Sequence, residues 1–351
     1  MKKFIFAFSV LLVFAVLQGC GDDPITPNPP PTLQGIFILH EGTFGNPQSY
    51  DYSFVNLSND SVIPDVFRAA NGYSLNSFPD GMVLYRDNFL YVTAQGTYLG
   101  QGTIYKINSD NNQLISSRNF GRNPYSLVIT DNKIYVSNIA GSHVSVMDNN
   151  FNSINDSVPT GPNPSDMIYA RGFVFVAKAS YTTEKSLALI NTVNNTVSKI
   201  FFSSTPVSVA ENTGGIYVSS FSGKKLYVID SSNTLSDSVT LNISESAIGE
   251  IVSGKSGELF ITGYDTSLYS AKRVYKFNTI SRQIDGSFNI QFTGTDDVYG
   301  ISYDRIGNRL YITNSKGGAV DSELRVYATD GSLIKTYNTK GRFSKRVSLK
   351  Y

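Results

Sequence analysis

One pattern recurs seven times along this chain: a short apolar strand of the type Ile-Tyr-Val-Ser-Asn, a loop, then a second apolar strand ending in Asn or Asp. The clearest copies are Ile134 to Asn138, Ile216 to Ser220 and Leu310 to Asn314. Leu90 to Ala94, Val174 to Lys178 and Leu259 to Gly263 are weaker, and Ile36 to His40 is the first and most divergent. The marker aromatics Phe37, Tyr91, Tyr135, Phe175, Tyr217, Phe260 and Tyr311 are spaced by 54, 44, 40, 42, 43 and 51 residues. A four-stranded propeller blade takes about 40–45 residues. The spacing therefore predicts an all-β fold, a seven-bladed β-propeller with insertions in the two long gaps.

Other blade parts keep the same phase. The strand after each of the first six markers ends at Asn56, Asn108, Asp148, Asn191, Asp230 and Asn278, where a short Asx side chain can close a tight turn. The next turn reads Asn59-Asp60-Ser61-Val62, Asn155-Asp156-Ser157-Val158 and Ser236-Asp237-Ser238-Val239. A further strand starts at a proline in Pro79-Asp80-Gly81-Met82, Pro124-Tyr125-Ser126-Leu127, Pro164-Ser165-Asp166-Met167 and Pro206-Val207-Ser208-Val209. Proline suits that first position, where its missing N–H removes no ladder bond. The first blade opens on its second strand at Gly35-Ile36 and so lacks an innermost one. Phe343 to Leu349 follows Gly341-Arg342 much as Tyr125 to Ile129 follows Gly121-Arg122. The C-terminus is thus expected to supply the missing strand and close the ring, removing an open sheet edge.

The N-terminus reads as an address. Lys2 and Lys3 precede an apolar run from Phe4 to Val16, too short for a spanning helix of about 20 residues and matching a signal peptide. Leu17-Gln18-Gly19-Cys20 then resembles the bacterial lipobox, although Gln18 stands where a small residue is commoner. The resemblance implies cleavage before Cys20 and acylation of this cysteine, the only one in the chain. More than one acyl chain gives durable anchoring to a membrane. Gly21-Asp22-Asp23 resembles the export signal of Bacteroidetes surface lipoproteins, and residues 24–31 (PITPNPPP) form a semi-rigid spacer. The expected organisation is a signal peptide over 1–19, a lipidated cysteine with its linker over 20–34, and the propeller over 35–351. The expected location is the outer membrane, on the cell surface, with the periplasmic face as the alternative.

The repeat resembles the YVTN repeat, and the chain from about Gly35 resembles the YncE-like family of bacterial propellers. Residues 38–45 (ILHEGTFG) and 66–72 (VFRAANG) narrow this to the surface lipoprotein branch found in Bacteroidetes, with His40 standing where that branch usually has Asn. The scarcity of histidine, the lack of a carboxylate cluster and the tyrosine-rich loops favour a non-enzymatic binding or scaffold propeller, and the resemblance adds that such lipoproteins often accompany TonB-dependent nutrient uptake receptors, including those for cobalamin-like cofactors.

Composition narrows the chemistry. Without residues 1–19 the chain carries 27 basic and 28 acidic residues, which gives no bulk attraction for nucleic acid. There is no Gly-x-Ser-x-Gly elbow, no His-Glu-x-x-His and no phosphate-binding loop, so no catalytic residue is assigned. With two histidines, one cysteine and no tryptophan, neither a histidine or thiolate metal cluster nor a quinone site is expected, and no cofactor is assigned. His143 reads as a solvated turn residue, whereas His40, beside Glu41, is a candidate ligand-facing group. Aligning the innermost strands puts Gly81, Ser126, Asp166, Ser208, Glu250, Gly300 and Arg346 at one position around the axis, which makes Asp166, Glu250 and Arg346 candidate channel residues. A metal at the channel mouth, held by Asp166 and Glu250 with help from Asp265, Asp296 or Asp297, would make the alternative a propeller lactonase or hydrolase.

The long loops all fall before an innermost strand or between strands two and three, hence on one face, while the connections opposite, such as residues 86–88 and 130–132, are tight. Long loops on a rigid scaffold carry function. Candidate partner-binding residues there are His40, Glu41, Phe44, Tyr73, Asp80, Tyr98, Tyr125, Tyr181, Tyr264, Tyr269 and Tyr299. Tyrosine offers an apolar ring and a polar tip, which suits a receptor protein, a glycan or a small nutrient. The Asp-Ser-Val triplets resemble the Bacteroidetes O-glycosylation sequon, with Ser61, Ser157 and Ser238 as acceptors, or serve simply as turns. Outside any complex the chain is expected to be a monomer.

Overall fold

The computed structural model describes residues 31–86 and 88–351. The signal peptide, Cys20 and the linker up to residue 30 lie outside the described residues. From Gly35 onward the chain forms seven antiparallel sheets, each the sheet of one blade. The innermost strands are Ser344–Lys350, Pro79–Tyr85, Pro124–Ile129, Pro164–Ala170, Pro206–Asn212, Ala247–Ser253 and Gly300–Asp304, in blades one to seven.

The repeat owes its existence to two contacts between blades. Each marker aromatic is buried in a cluster shared with the next blade: Phe37 meets Met82 and Leu90, Tyr91 meets Leu127 and Ile134, Tyr135 meets Met167 and Val174. The series runs on through Phe175, Tyr217 and Phe260 to Tyr311, which packs with Ile36 and Ile38 of the first blade. The hydroxyl two places after the marker then staples the innermost strands. Thr93 Oγ1 donates to the Tyr125 carbonyl at 2.6 Å, Ser137 Oγ to Ser165 at 2.7 Å, and Ser219 Oγ to Gly249 at 2.7 Å. One strand face thus satisfies an apolar and a polar demand at once, which explains the Tyr-Val-Ser/Thr order.

Closure follows the expected path. Strand Ser344–Lys350 pairs antiparallel with Gly35–His40, with Gly35 opposite Lys350 and Ile38 opposite Val347. The first insertion is partly helical rather than a plain loop: Val66–Asn71 forms a short helix. The buried Asp51 carboxylate organises its first turn by accepting the N–H groups of Phe67 and Arg68, each at 2.9 Å. The second insertion adds a small strand, Ile290–Gln291, beside the third strand of blade six.

Deleting residues 342–351 would expose the ladder of Gly35–His40 and half of the Tyr311 cluster. The truncated protein is expected to lose cooperative thermal unfolding and to aggregate, as read by circular dichroism and size-exclusion chromatography. A truncated form that melts like the full chain would show that this strand is dispensable.

Candidate functional site

The innermost strands begin at the loop-rich face, and in blades two to six a β-bulge near that end re-aims their first side chains. The closing strand contributes Lys345 and Arg346 here. Lys345 Nζ donates to Glu41 Oε1 at 2.6 Å and to Asp80 Oδ1 at 2.5 Å, and lies 4.6 Å from the centroid of the Tyr125 ring. The Tyr299 hydroxyl donates to Glu41, and the Gln95 amide donates to Asp80. Arg346 Nη1 donates to Glu250 Oε1 at 2.6 Å and Nε to the Asp80 carbonyl at 3.2 Å. Asp166 Oδ2 accepts from Ser208 Oγ at 2.7 Å and from the Val209 N–H at 3.3 Å.

Burial pushes the Glu41 carboxyl up to about 7, against the pull of Lys345. Burial also works to raise Asp80, but Lys345, Glu41 and Gln95 outweigh it and hold that carboxyl below its ordinary value. Of the two, Glu41 is therefore the carboxyl that keeps its proton to higher pH. Asp166 is raised by burial, with Arg346 opposing. Burial lowers Lys178 to about 8.

Lys345, Arg346, Glu250, Asp166 and Lys178 line a cavity of about 420 Å³ that opens on the loop-rich face. Asp166, Glu250 and Arg346 line both this cavity and a second one towards the tight turns, so they form the waist of the axial channel. Tyr125, Tyr181, Tyr264, Tyr269 and Tyr299 line the same cavity, and Tyr264 packs on Phe221 with ring centroids 5.3 Å apart. Ser165 and Ser270, not singled out by sequence, also line it, and their buried hydroxyls have no hydrogen-bond partner among the described residues.

The other candidates lie elsewhere. Phe44 stacks on Phe78 at 5.9 Å, Tyr73 meets the edge of Phe67 at 5.5 Å, and Tyr98 stands 85% exposed on its loop, none of them lining the cavity. Glu41 and Asp80 lie behind Lys345 instead of facing the cavity.

His40 is a structural residue, not an open ligand-facing one: it is 2% exposed and occupies the place that Asn138 and Asn314 hold in their blades. Its Nδ1 lies 2.8 Å from Ser344 Oγ, and its Nε2 contacts Ser53. Because the Ser53 hydroxyl donates to the Thr339 carbonyl, His40 Nε2–H donates to Ser53, and Nδ1 accepts from Ser344. Burial lowers its pKa to about 3. His143 is not a turn residue either: it starts strand His143–Met147 and is half-buried. Ser61, Ser157 and Ser238 belong to the outermost strands, Ser61–Ile63, Ser153–Pro159 and Leu235–Thr240, and not to turns.

The aspartates proposed as calcium ligands do not converge. Asp296 binds Arg325 at 2.6 Å, Asp297 accepts from Ser315 Oγ at 2.7 Å, and Asp265 accepts from Ser267 Oγ at 2.6 Å. Among the described residues no group of three or more His, Cys, Asp or Glu is placed to hold a metal ion.

Fold and site together define a closed seven-bladed propeller with an axial cavity on its loop-rich face. The chain belongs to the family described as "Domain of unknown function (DUF5074)", which it matches over residues 34–344. No curated protein sequence matches it. It is similar in fold to a quinonprotein alcohol dehydrogenase-like protein from Bacteroides thetaiotaomicron (TM-score 0.67, 14% identity, covering 90% of this chain and 77% of that one). It is likewise similar to a periplasmic gluconolactonase of Pseudomonas aeruginosa (TM-score 0.66, 13% identity, covering 90% of this chain and 99% of that one). A functionally unknown protein from Desulfotomaculum acetoxidans is a third (TM-score 0.65, 12% identity, covering 90% and 98%). At these identities the likeness shows the fold alone.

Two outcomes test the electrostatics. His40 titrates near 6.5 when unfolded and near 3 when folded, so its contribution is complete above 6.5 and is lost as pH falls. Between pH 7.5 and 5 the wild type should lose about 2 kcal/mol more than His40→Asn in chemical denaturation. Equal losses would mean that the ring is not held neutral. Lys345→Met would strand Asp80 and Glu41 without their cation, which is expected to cost about 3–5 kcal/mol, whereas an unchanged denaturation midpoint would mean that the bridge contributes nothing net.

Proposed function

We propose that the protein is a lipid-anchored outer-membrane lipoprotein whose propeller is a non-enzymatic binding module, displayed at the cell surface and accessory to a TonB-dependent uptake receptor. The observation that carries the binding role is the axial cavity. Tyrosines from several blades converge on it, two serines of its lining carry buried hydroxyls without partners among the described residues, and its carboxylates already carry partners in the wall. Such a concave site with a few polar groups suits capture of a ligand.

Orientation supports the anchored reading. The Gln34 N–H donates to the Lys350 carbonyl at 2.7 Å, at the tight-turn end of the innermost strand. A tether from an acylated Cys20 would join the propeller there, leaving the loop-rich face free for ligand and receptor.

The second reading is a lactonase, favoured by likeness to a periplasmic gluconolactonase. The donor set argues against its metal. Glu250 is held by Arg346 and Asp166 by Ser208, so a divalent cation there would sit beside a guanidinium group.

The test uses cells. Palmitate should label the wild type and not Cys20→Ala, and protease added to intact cells should digest the propeller. Cross-linking on those cells should join it to a TonB-dependent receptor. Truncating buried aromatic anchors costs about 2 kcal/mol or more, so Tyr181→Ala and Tyr264→Ala should reduce that cross-link while preserving the melting temperature. Asn132→Ala on the other face should leave it intact. A chelator-sensitive lactonase activity abolished by Asp166→Asn, with the tyrosine variants unaffected, would overturn the binding role.

A further inference from the structure

The reading of the axial cavity as a binding site leaves its ligand open, and the lining narrows the class. We infer that the cavity takes an uncharged, hydroxyl-rich ring compound, a saccharide.

The first argument is electrostatic. Lys345 is bonded to both Asp80 and Glu41, and Arg346 to Glu250. An anion would have to compete with these bridges, whose breaking leaves a carboxylate uncompensated, and a cation with Arg346 for Glu250 and with hydroxyl and N–H donors for Asp166 and Asp297. The remaining cation of the lining, Lys178, is fully buried and donates to the carbonyls of Thr160 at 2.6 Å and Gly161 at 3.3 Å. A neutral ligand meets none of this resistance.

The second argument counts unused hydrogen-bonding capacity. Ser165 and Ser270 line the cavity, and their hydroxyls, buried just behind its surface, have no partner among the described residues. Among the described residues Asp166 uses only Oδ2 on its neighbours, and Glu250 and Arg346 meet through Oε1 and Nη1 alone. Carboxylate acceptors, a guanidinium donor and hydroxyls that do both thus stand within one small space. A ring bearing adjacent hydroxyls, each donor and acceptor, can use all three kinds. Leaving such groups unpaired when a ligand excludes water is costly, which disfavours an apolar occupant.

The third argument is shape. Tyr181 and Tyr264 both line the cavity, the latter backed by Phe221. An aromatic face accepts the C–H face of a sugar ring while the hydroxyls reach the polar floor. The cavity of about 420 Å³ lies within the roughly 300–1,000 Å³ typical of small-molecule sites.

Calorimetry on the full chain in detergent tests this with glucose, galactose, mannose, N-acetylglucosamine, maltose and lactose, and with gluconate and glucosamine as charged probes. At least one neutral sugar should bind saturably, with affinity unchanged within about twofold between about 0.05 and 0.5 M salt. Ser165→Ala should weaken it about 2–10-fold, the loss expected for one hydrogen bond. Tyr264→Ala should weaken it about tenfold or more, and both variants should keep the wild-type melting temperature. Tighter, salt-sensitive binding of gluconate or glucosamine would overturn the inference in favour of an ionic ligand. No saturable binding of any neutral sugar would overturn it too, as would binding that both variants leave intact. In each of these cases a receptor cross-link that still depends on Tyr264 keeps the binding role and removes only the saccharide. Loss of the cross-link with sugar binding retained does the reverse.

Discussion

The fold depends on burying one aromatic face of every blade against the next, seven times, with no blade left over. A single blade is a small twisted sheet with two apolar faces and cannot be stable alone. Each blade gains its core only from its neighbours, so the arrangement is complete only when the last blade meets the first. Tyr311 against Ile36 and Ile38 is that last contact, and strand Ser344–Lys350 holds it shut by pairing with Gly35–His40.

That strand also makes the site. Lys345 and Arg346, neighbours on it, supply the cations that engage Asp80, Glu41 and Glu250 at the axis. Ser344, one position earlier, holds His40 at the corner of the first blade. Closure and site assembly are therefore one event: an open ring has no cations at its axis and leaves Asp80 and Glu250 without their charged partners. The bridges also draw the closing strand towards blades two and six, which adds ionic contacts to a seam that is otherwise one sheet ladder.

Much of this is legible in sequence, and the parts that are not have physical reasons. The blade period shows because one strand position must be aromatic and buried, and in five of the seven blades a hydroxyl follows two places on. Asp166, Glu250 and Arg346 could be placed at the axis because strand alternation carries through the innermost strands. The Lys345 set was hidden: its partners lie 265 and 304 residues away, and bulges at the strand mouths shift which side chains point inward. His40 looked like a ligand group because it ends a strand beside a long loop, yet it does the work of the asparagine found in other blades. Loop tyrosines were found as a class, but sequence could not separate Tyr181 and Tyr264, which face the cavity, from Tyr73 and Tyr98, which do not. Ser165 and Ser270 gave no signal, since serine is common in such strands and an unpaired hydroxyl is a fact of three dimensions.

The distribution of the titratable groups bears on binding against catalysis. General acid–base chemistry wants a group poised near neutral pH and within hydrogen-bond reach of the substrate. Glu41, raised to about 7, has the first property, but it lies beneath Lys345 and Tyr299 and outside the cavity lining. The carboxylates that do face the cavity, Glu250, Asp166 and Asp297, are tied to Arg346, Ser208 and Ser315, which fixes their direction. The same ties favour recognition. A group already held in place loses little freedom when a ligand arrives, and affinity grows as that cost falls. The ring adds to this, because innermost strands locked by inter-blade staples cannot shift one wall of the cavity without straining the next. The axis of this propeller is thus built to hold an array of donors and acceptors still, which is what selective capture of a polar ligand requires.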